Sequence, residues 1–333
     1  MDKPLVSIIV PLYNKAPYIE QCLRTLCDQT LENIEVIIVD DGSTDGGETI
    51  AKTLCAGDER FIYLRQENAG VSSALNTGLA QAKGRFIGRV DADDWIEPDM
   101  YQRLIQAADE FGVTHARCGA IREHADGHRR QIPCCATTET RGGQWCFEKL
   151  FGEVFIPFMS TYLGIYDRET ILRADLRYPP SLRNLEDIYF NARFFALDLP
   201  VALIPDTLYH YREDPMSLSQ KPSVRLPEQL GTFEQLMQET VLVDNPHLLP
   251  HYAHYRAIAM LTTAADMSAH GVAGMKALTD NAMYLALGGE DDRSRYPQSL
   301  RILMRLLDAR HYSLASLYAR GLRLARSVRR RIR

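Results

Sequence analysis

The chain has 333 residues, of which 46% are hydrophobic and 24% are charged, and its formal net charge is −5. This composition is typical of a water-soluble globular protein, and the length suits one large domain with an appended region. We find no run of roughly 20 apolar residues, the length that a membrane-spanning helix needs, and no secretory signal pattern after Met1. Disordered and membrane-embedded classes are therefore excluded.

The seven cysteines lack the spacing of metal ligands, and two of them, Cys134 and Cys135, are adjacent. Their odd number and irregular spacing predict free thiols that fill the core rather than a disulfide framework. We therefore expect a reduced, cytoplasmic protein, because disulfides persist mainly in oxidising compartments.

The first 120 residues alternate short apolar runs with helical patterns, which is typical of a parallel sheet built from βαβ units. We predict strands at 5–10, 36–39, 61–64 and 85–90, with helices at about 17–29, 44–54 and 71–82. Ligands of open α/β sheets bind beyond the carboxyl ends of the strands. We therefore expect the polar ends of the first, second and fourth strands to share a crevice, with Asp41 beside Asp91.

The remainder of the chain has a looser pattern. It indicates a helix to about residue 111, a strand at 115–121, a polar loop at 123–131, an acidic helix start at 184–187, a pair of strands at 201–211, and helices from residue 226 onward. We predict an α/β fold with a Rossmann-like, mostly parallel sheet flanked by helices. The predicted domains are 1–222 and a helical C-terminal region, 223–333.

The segment that follows the fourth predicted strand places the three carboxylates of Asp91, Asp93 and Asp94 in one short turn. Such crowding is unfavourable without a cation. Mg²⁺ and Mn²⁺ prefer oxygen ligands and commonly bind one or two carboxylates together with substrate phosphates. The alternative is an acidic turn that stabilises the amino end of the helix beginning near Glu97.

Four segments in order resemble the successive motifs of family-2 glycosyltransferases. They are Val-Ser-Ile-Ile-Val-Pro-Leu-Tyr-Asn at 6–14, Val-Asp-Asp-Gly-Ser-Thr-Asp at 39–45, Asn-Ala-Gly-Val-Ser at 68–72 with Asn-Thr-Gly at 76–78, and Asp-Ala-Asp-Asp at 91–94. The resemblance covers residues 4–100 strongly and 150–220 weakly. It implies the nucleotide-sugar-binding fold of that family, called GT-A.

The resemblance also implies roles for individual residues. Pro11 and Tyr13 would line the pocket for the nucleotide base, although both also suit an ordinary strand end. Asp41 would hydrogen-bond the base, and Asn68 would belong to the nucleotide-binding set. The chain departs from many relatives at Leu75, where they carry an arginine, so a cationic contact to the nucleotide is missing there.

For the acidic turn, the resemblance implies that Asp91 faces the ribose and that Asp93 binds a Mn²⁺ or Mg²⁺ ion bridging the donor's diphosphate. Further along, the pair Glu186-Asp187 resembles the family's Glu-Asp motif, whose aspartate is the catalytic base. An acceptor hydroxyl is a poor nucleophile until a positioned carboxylate takes its proton. The alternative is an acid that stabilises the helix dipole.

A second metal ligand is expected in the segment 209–219, where relatives often place a histidine shortly after Tyr-Arg. Asp214 occupies that place here and is the predicted ligand. His210 is the competing candidate. An ordinary core or surface histidine is the other interpretation of His210.

The C-terminal segment 299–333 contains ten arginines and one acidic residue, so it carries +9 and the rest of the chain −14. At 100° per residue, a helix over 313–333 would present an apolar stripe with arginines roughly opposite. The stripe consists of Leu314, Leu317, Tyr318, Gly321, Ala325, Val328 and Ile332, and the arginines are Arg323, Arg326, Arg330 and Arg333. We expect contact with the anionic inner leaflet, or else packing on the helix's own domain, and no nucleic acid.

Together these features predict an inverting glycosyltransferase that uses a nucleotide-diphospho-sugar donor and a saccharide or lipid-linked acceptor. Bacterial envelope polysaccharide or lipopolysaccharide synthesis is the expected setting, in the cytoplasm or at the cytoplasmic face of the inner membrane. Two alternatives remain open. One is a haloacid-dehalogenase-like phosphohydrolase with Asp91 as nucleophile, and the other is a catalytically inert nucleotide-sugar-binding protein.

Overall fold

The computed structural model describes residues 3–152, 156–213, 226–288 and 298–332. The chain divides into two compact units, one comprising Met1–Leu150 with Phe155–Gln220 and the other Phe151–Val154 with Lys221–Arg333. The first unit contains the sheet, and the second is helical.

Ten strands join one sheet within the described residues. They are β1 (Val6–Leu12), β2 (Ile34–Asp40), β3 (Phe61–Arg65), β4 (Phe86–Arg89), β5 (Trp95–Ile96), β6 (His115–Glu123), β7 (Arg129–Ile132), β8 (Glu139–Arg141), β9 (Gly164–Asp167) and β10 (Val201–Arg212). The helices of this unit are α1 (Ala16–Cys27), α2 (Gly47–Leu54), α3 (Val71–Gln81), α4 (Met100–Phe111), α5 (Gly143–Gly152), α6 (Ile156–Met159), α7 (Arg168–Arg173) and α8 (Glu186–Phe195).

The strand order is β3-β2-β1-β4-β9-β6-β10-β5, with β7 beside β6 and β8 beside β10. The predicted α/β class with helices around a central sheet is confirmed. Strands β3, β2, β1 and β4 are parallel, as βαβ units require. The other half of the sheet is mixed, because β9 runs antiparallel to both of its neighbours, β4 and β6.

Strand β1 lies at the centre of the core and is covered on both faces, which explains its continuous apolar run. Ile8 and Val10 belong to the buried cluster that includes α1 and α4. Ile9 points the other way, towards α3, where a Cβ at Gly78 would lie only 2.4 Å from Ile9 Cγ2. This close approach of α3 requires glycine and fixes the helix against the strand.

Two sequence expectations differ from the structure. The predicted polar loop at 123–131 is a hairpin in which β6 continues to Glu123, a turn contains Gly127 at φ +84°, and β7 returns alongside. The predicted pair of strands at 201–211 is the single strand β10. Pro205 and Asp206 are typical of a turn, but a register shift in the β10–β6 pairing between Leu203 and Thr207 accommodates them.

The second unit contains helices α9 (Leu226–Met237), α10 (Leu249–Met267), α11 (Gly271–Thr279), α12 (Ala282–Gly288), α13 (Gln298–Asp308) and α14 (Tyr312–Ile332). The predicted helical character of this region is confirmed. Its core includes a buried ion pair between Arg256 and Glu234 at 2.8 Å, with Glu234 also accepting from Tyr252. Among the helices of the described residues, none combines the length and apolar character needed to cross a bilayer.

Candidate active site

The carboxyl ends of β2, β1 and β4 lie at one edge of the sheet because the three strands are parallel. Asp41 follows β2, and Asp91 follows β4 by two residues. Strand β1 runs between them, and neighbouring strands are about 4.8 Å apart, so the two strand axes are separated by about 10 Å. Asp41 and Asp91 therefore share the edge, as expected, but β1 and the loop after it lie between them.

The loop after β1 is tied to the loop after β2. Asn14, at φ 51°, accepts from the Thr44 amide at 2.9 Å and donates its own amide to Ser43 Oγ at 3.1 Å. These bonds hold the segment that carries the predicted base-pocket residues. Pro11 lies within β1, and Tyr13 is 48% exposed at the open edge.

Asp41 organises the loop that contains Asn68. Its carboxylate accepts hydrogen bonds from the Ala69 amide at 2.9 Å, the Gly70 amide at 2.8 Å and Gln66 Nε2 at 2.8 Å. Asn68 Nδ2 donates to the Asp41 carbonyl at 3.1 Å. The predicted contacts of Asp41 and Asn68 with a nucleotide stay predictions, since these bonds serve the protein's own loop.

The guanidinium of Arg89, the last residue of β4, joins the two predicted catalytic segments. Nε donates to Asp91 Oδ1 at 2.7 Å, and Nη2 donates to Asp91 Oδ2 at 3.1 Å. Nη1 donates to Asp187 Oδ1 and to Thr161 Oγ1, the latter at 3.2 Å. Arg89 was not among the predicted site residues, although an arginine in a buried strand needs an acidic or polar partner and could have been recognised on that ground.

Burial and neighbouring charge act against each other at this ion pair. Burial by itself lowers the pKa of Arg89, but Asp187 and Asp91 raise it well above its usual value. Burial raises the pKa of Asp91, Arg89 opposes that shift, and the negative charges of Asp187 and Asp93 add to it. The guanidinium thus stays charged while its carboxylate partners repel one another.

Asp187 stands in the first turn of α8 and is held by a second segment of chain. The Thr161 hydroxyl donates to Asp187 Oδ1 at 3.1 Å, and the Thr161 amide donates to Oδ2 at 3.4 Å. The Asp187 side chain is 18% exposed, so the fixed carboxylate still reaches solvent. A carboxylate that is oriented and partly open meets the geometric requirement for a general base.

The turn before Thr161 is held by a fully buried arginine. Arg117 donates to the Pro157 carbonyl at 2.9 Å, to the Ser160 carbonyl at 2.5 Å and to Tyr166 Oη at 2.9 Å. Arg117 is 0% exposed, and these neutral acceptors satisfy its guanidinium. Its bonds stabilise the backbone that presents Thr161 to Asp187.

Glu186, beside the predicted base, is buried, and its Oε2 has no hydrogen-bond partner among the described residues. Burial raises the pKa of Glu186 to about 8, the negative charge of Asp187 adds to the shift, and Arg89 opposes it. The motif therefore contains two unlike carboxyl groups. Asp187 is paired with a cation, and Glu186 is held in a setting that favours its neutral form.

Asp94, which had no predicted role, anchors the acidic turn to β10. It is 2% exposed and accepts from Tyr209 Oη and from the Arg212 amide, both at 2.8 Å. The Asp91 amide lies 3.1 Å from the same Tyr209 oxygen. Burial raises the pKa of Asp94 well above its usual range, and the charges of Asp93 and Asp91 add to the shift.

Asp93 is the carboxylate of the turn whose partner is a flexible cation. Lys15 Nζ lies 2.5 Å from Asp93 Oδ2, and the two side chains are 29% and 20% exposed. No group of three or more His, Cys, Asp or Glu side chains suited to a metal occurs among the described residues. The Lys15 ammonium shows that a cation can approach Asp93, and Mg²⁺ commonly binds one or two carboxylates together with substrate phosphates, so this carboxylate would suit a divalent ion bound with the donor.

Of the two other metal-ligand candidates, the structure describes only His210. Asp214 falls outside the described residues, and its role stays a prediction. His210 is bound on both ring nitrogens, with Nδ1 2.8 Å from Glu123 Oε1 and Nε2 2.9 Å from Glu97 Oε1, and its ring stacks on Trp95. These contacts favour a structural role for His210 in joining β10 to β6 and β5.

Leu75, which stands where many relatives carry an arginine, is fully buried in α3. It lines a cavity of about 10 Å³, the other walls of which include Arg89, Thr161 and Tyr178. A positive charge therefore lies in this part of the site after all. It comes from the sheet rather than from the helix.

Residues 7–152 match the family model described as glycosyl transferase family 2. These residues therefore form a family 2 glycosyltransferase domain. The chain is 37% identical over 222 residues to the uncharacterized glycosyltransferase EpsJ of Bacillus subtilis (strain 168), a match that covers 66% of the chain and 64% of EpsJ. The chain thus spans just under two thirds of that relative's length.

Two solved structures share the fold of this chain. One is residues 1–349 of S. aureus TarS in complex with UDP-GlcNAc, with a TM-score of 0.69 at 18% identity, covering 96% of this chain and 92% of that one. The other is the mannosyltransferase PcManGT of Pyrobaculum calidifontis in complex with GDP-Man and Mn²⁺, with a TM-score of 0.53 at 19% identity, covering 96% and 86%. At these identities the likeness shows the fold alone.

Proposed function

We propose that this chain transfers a sugar from a nucleotide diphosphate to an acceptor hydroxyl with inversion at the anomeric carbon. The observation that carries the proposal is the shared guanidinium of Arg89. It holds Asp91, in the donor motif, and Asp187, in the base motif, although the two aspartates are far apart in sequence. A donor held near Asp91 would therefore lie beside the group that activates the acceptor.

In the proposed reaction, an Asp187 carboxylate oxygen takes the proton of the acceptor hydroxyl as the hydroxyl oxygen bonds to the anomeric carbon. The bond from that carbon to the diphosphate oxygen breaks, and the nucleoside diphosphate leaves with the electron pair. Thr161 and Arg89 keep the base from rotating out of line. Attack from the face opposite the leaving group inverts the configuration.

We further propose that Asp93 holds Mn²⁺ or Mg²⁺ together with the donor's phosphates. When bound, such an ion stabilises the negative charge that develops on the leaving diphosphate. Asp91 and Asp94 support the site differently, since Arg89 binds the first and the second is buried against Tyr209. The Mn²⁺ complex of the mannosyltransferase with the same fold is consistent with this assignment.

For the donor and acceptor we propose a hexosyl or N-acetylhexosaminyl nucleotide and a saccharide or lipid-linked hydroxyl. The UDP-GlcNAc complex of TarS supports this class of donor. The proposed setting is bacterial envelope polysaccharide or lipopolysaccharide synthesis in the cytoplasm. Contact of α14 with the inner leaflet is part of the proposal, because Leu314 and Leu317 in its apolar stripe are 55% and 67% exposed.

The test is transfer from UDP- and GDP-sugars with Mn²⁺, comparing wild type with Asp187→Asn, Asp93→Asn and the exposed-site control Asp28→Asn. We expect Asp187→Asn to lower kcat by about 10²- to 10⁴-fold, the usual contribution of a general base, with donor binding retained. Asp93→Asn should weaken donor binding in Mn²⁺, and Asp28→Asn should match wild type.

Three results would contradict this function. Release of phosphate from simple monoesters, abolished by Asp91→Asn, would favour the phosphohydrolase alternative. Binding of nucleotide sugar with no turnover under any condition would favour the inert alternative. Proton NMR of the product showing retained anomeric configuration would exclude the inverting mechanism.

A further inference from the structure

The ion pair between Lys15 and Asp93 joins two loops at the rim of the candidate donor site. Lys15 Nζ lies 2.5 Å from Asp93 Oδ2. The backbone next to Lys15 is held in place, because the adjacent Ala16 amide donates to Asp45 Oδ2 at 2.7 Å. The ammonium is carried by a flexible four-carbon stem whose root is held in place.

A divalent ion on Asp93 would come close to this ammonium. Both cations would bind the same carboxylate, and two positive charges only a few ångströms apart repel each other strongly in a partly desolvated site. The Asp93 side chain is 20% exposed, so water screens the repulsion only in part. Metal binding at Asp93 therefore favours a Lys15 side chain that has moved away.

A donor diphosphate would offer the displaced ammonium a new partner. Lysine binds phosphate as a compact point charge with three donors, and its stem allows the head to move while the backbone stays fixed. The Tyr18 ring lies 5.9 Å from Lys15 Nζ, on the helix that the lysine precedes. The phosphates would lie next to Asp93, within the radius that the stem can sweep.

We infer that Lys15 is an exchange residue that neutralises Asp93 in the empty site and passes to the donor's diphosphate when Mn²⁺ or Mg²⁺ binds Asp93. The inference rests on the proposed function and deepens it by naming a residue that couples metal binding to donor binding. If the inference is right, a metal ion without donor competes with Lys15 for Asp93. When the diphosphate is also present, Lys15 strengthens its binding instead.

The experiment measures two affinities that should change in opposite directions. In Lys15→Met, Mn²⁺ alone should bind about tenfold more tightly, because the ammonium that competes for Asp93 is gone. The EPR signal of free Mn²⁺ measures this affinity. Binding of UDP or GDP with saturating Mn²⁺, followed by calorimetry, should weaken roughly tenfold or more, as expected for loss of a charged hydrogen bond. Lys15→Arg should stay closer to wild type in both measurements.

The matched control is Lys52→Met, which breaks another lysine ion pair, with Glu48 at 2.7 Å, on α2. It should leave both affinities unchanged. If Lys15→Met leaves Mn²⁺ affinity unchanged or weakens it while wild type binds both ligands, the exchange role is wrong and the proposed function stands. If wild type binds neither Mn²⁺ nor a nucleoside diphosphate, the proposed function itself fails.

Discussion

Arg89 is the residue on which the candidate site depends. Its side chain is 7% exposed and binds Asp91 and Asp187 together. Buried ion pairs often contribute little net stability, because desolvation offsets their attraction, yet removing one partner costs about 3–5 kcal/mol. The arrangement is therefore better explained by the need to hold two carboxylates at defined positions than by stability.

Glu186 is a carboxyl group next to Asp187 that lacks the arginine contact of Asp91 and Asp187. Its Oε2 accepts no hydrogen bond from the described residues, and no arginine fork binds it. Its pKa is raised from the usual 4.5 to about 8. At neutral pH the folded protein consequently favours the protonated form, whereas the unfolded chain favours the carboxylate.

This difference predicts how stability depends on pH. Since folding raises the pKa of Glu186, its contribution is fully present below about pH 4.5 and is lost as the pH rises through about 8. Glu186→Gln should remove this loss, so that the variant gains stability relative to wild type between about pH 5 and 8. At about 1.4 kcal/mol per pKa unit, the gain amounts to a few kcal/mol.

The measurement is the free energy of unfolding in urea at several pH values, with exposed Glu110→Gln as control. Glu110→Gln should follow wild type across the range. A constant difference between Glu186→Gln and wild type from pH 5 to 8 would show that Glu186 does not titrate with a raised pKa.

At the scale of elements, the apolar stripe of α14 includes two leucines that its own unit leaves exposed. Ala315 and Ala319 are buried, whereas Leu314 and Leu317 are 55% and 67% exposed. The segment 299–333 carries +9. Exposed leucines on a strongly cationic helix suit an anionic lipid surface, where each nearby arginine contributes about 1 kcal/mol.

We therefore predict that the full chain binds vesicles containing phosphatidylglycerol more tightly than vesicles of phosphatidylcholine alone. The double variant Leu314→Ser/Leu317→Ser should bind anionic vesicles at least about tenfold more weakly, because burial of each leucine contributes roughly 1.5–3 kcal/mol. Vesicle flotation at low and high salt measures this, since the arginine term is screened by salt.

Leu285→Ser is the matched control, because Leu285 is 60% exposed on α12 but lies outside the basic segment 299–333. It should float like wild type. Equal flotation with both vesicle types, or no effect of the α14 double variant, would show that the helix does not bind anionic lipid.

For the whole molecule, every described residue of the candidate site belongs to the first unit. The loops after β1, β2 and β4 and the start of α8 all lie in Met1–Leu150 or Phe155–Gln220. Ligand binding stabilises the segments that contact the ligand. Donor binding should therefore reduce backbone exchange in a limited set of peptides.

We predict that Mn²⁺ with a nucleoside diphosphate increases hydrogen-exchange protection in peptides covering 11–15, 41–44, 66–70 and 89–94. Peptides of α9 to α14 should exchange as in the unliganded protein. Mass spectrometry of exchange with and without ligand measures this, and Asp93→Asn serves as the weak-binding reference. Protection confined to the second unit would place the donor site elsewhere.

Much of the fold followed from local patterns. A parallel strand buried on both faces must be continuously apolar, so the runs that became β1, β2 and β4 were recognisable, as were the helices between them. The acidic turn was recognisable because three carboxylates crowded at a strand end indicate a site for a cation. The hairpin at β6–β7 and the unbroken β10 were missed, since polar residues and proline also suit loops, and only strand pairing distinguishes the two.

The partners of the site residues were decided by tertiary structure. Arg89 meets Asp187, and Lys15 meets Asp93, because packing brings together segments 98 and 78 residues apart. Local periodicity predicts which face of a helix or strand a residue occupies, but it does not predict which distant residue it contacts. The sequence by itself therefore determined which carboxylates are candidates for the site, and the tertiary structure alone decided which partner each one binds.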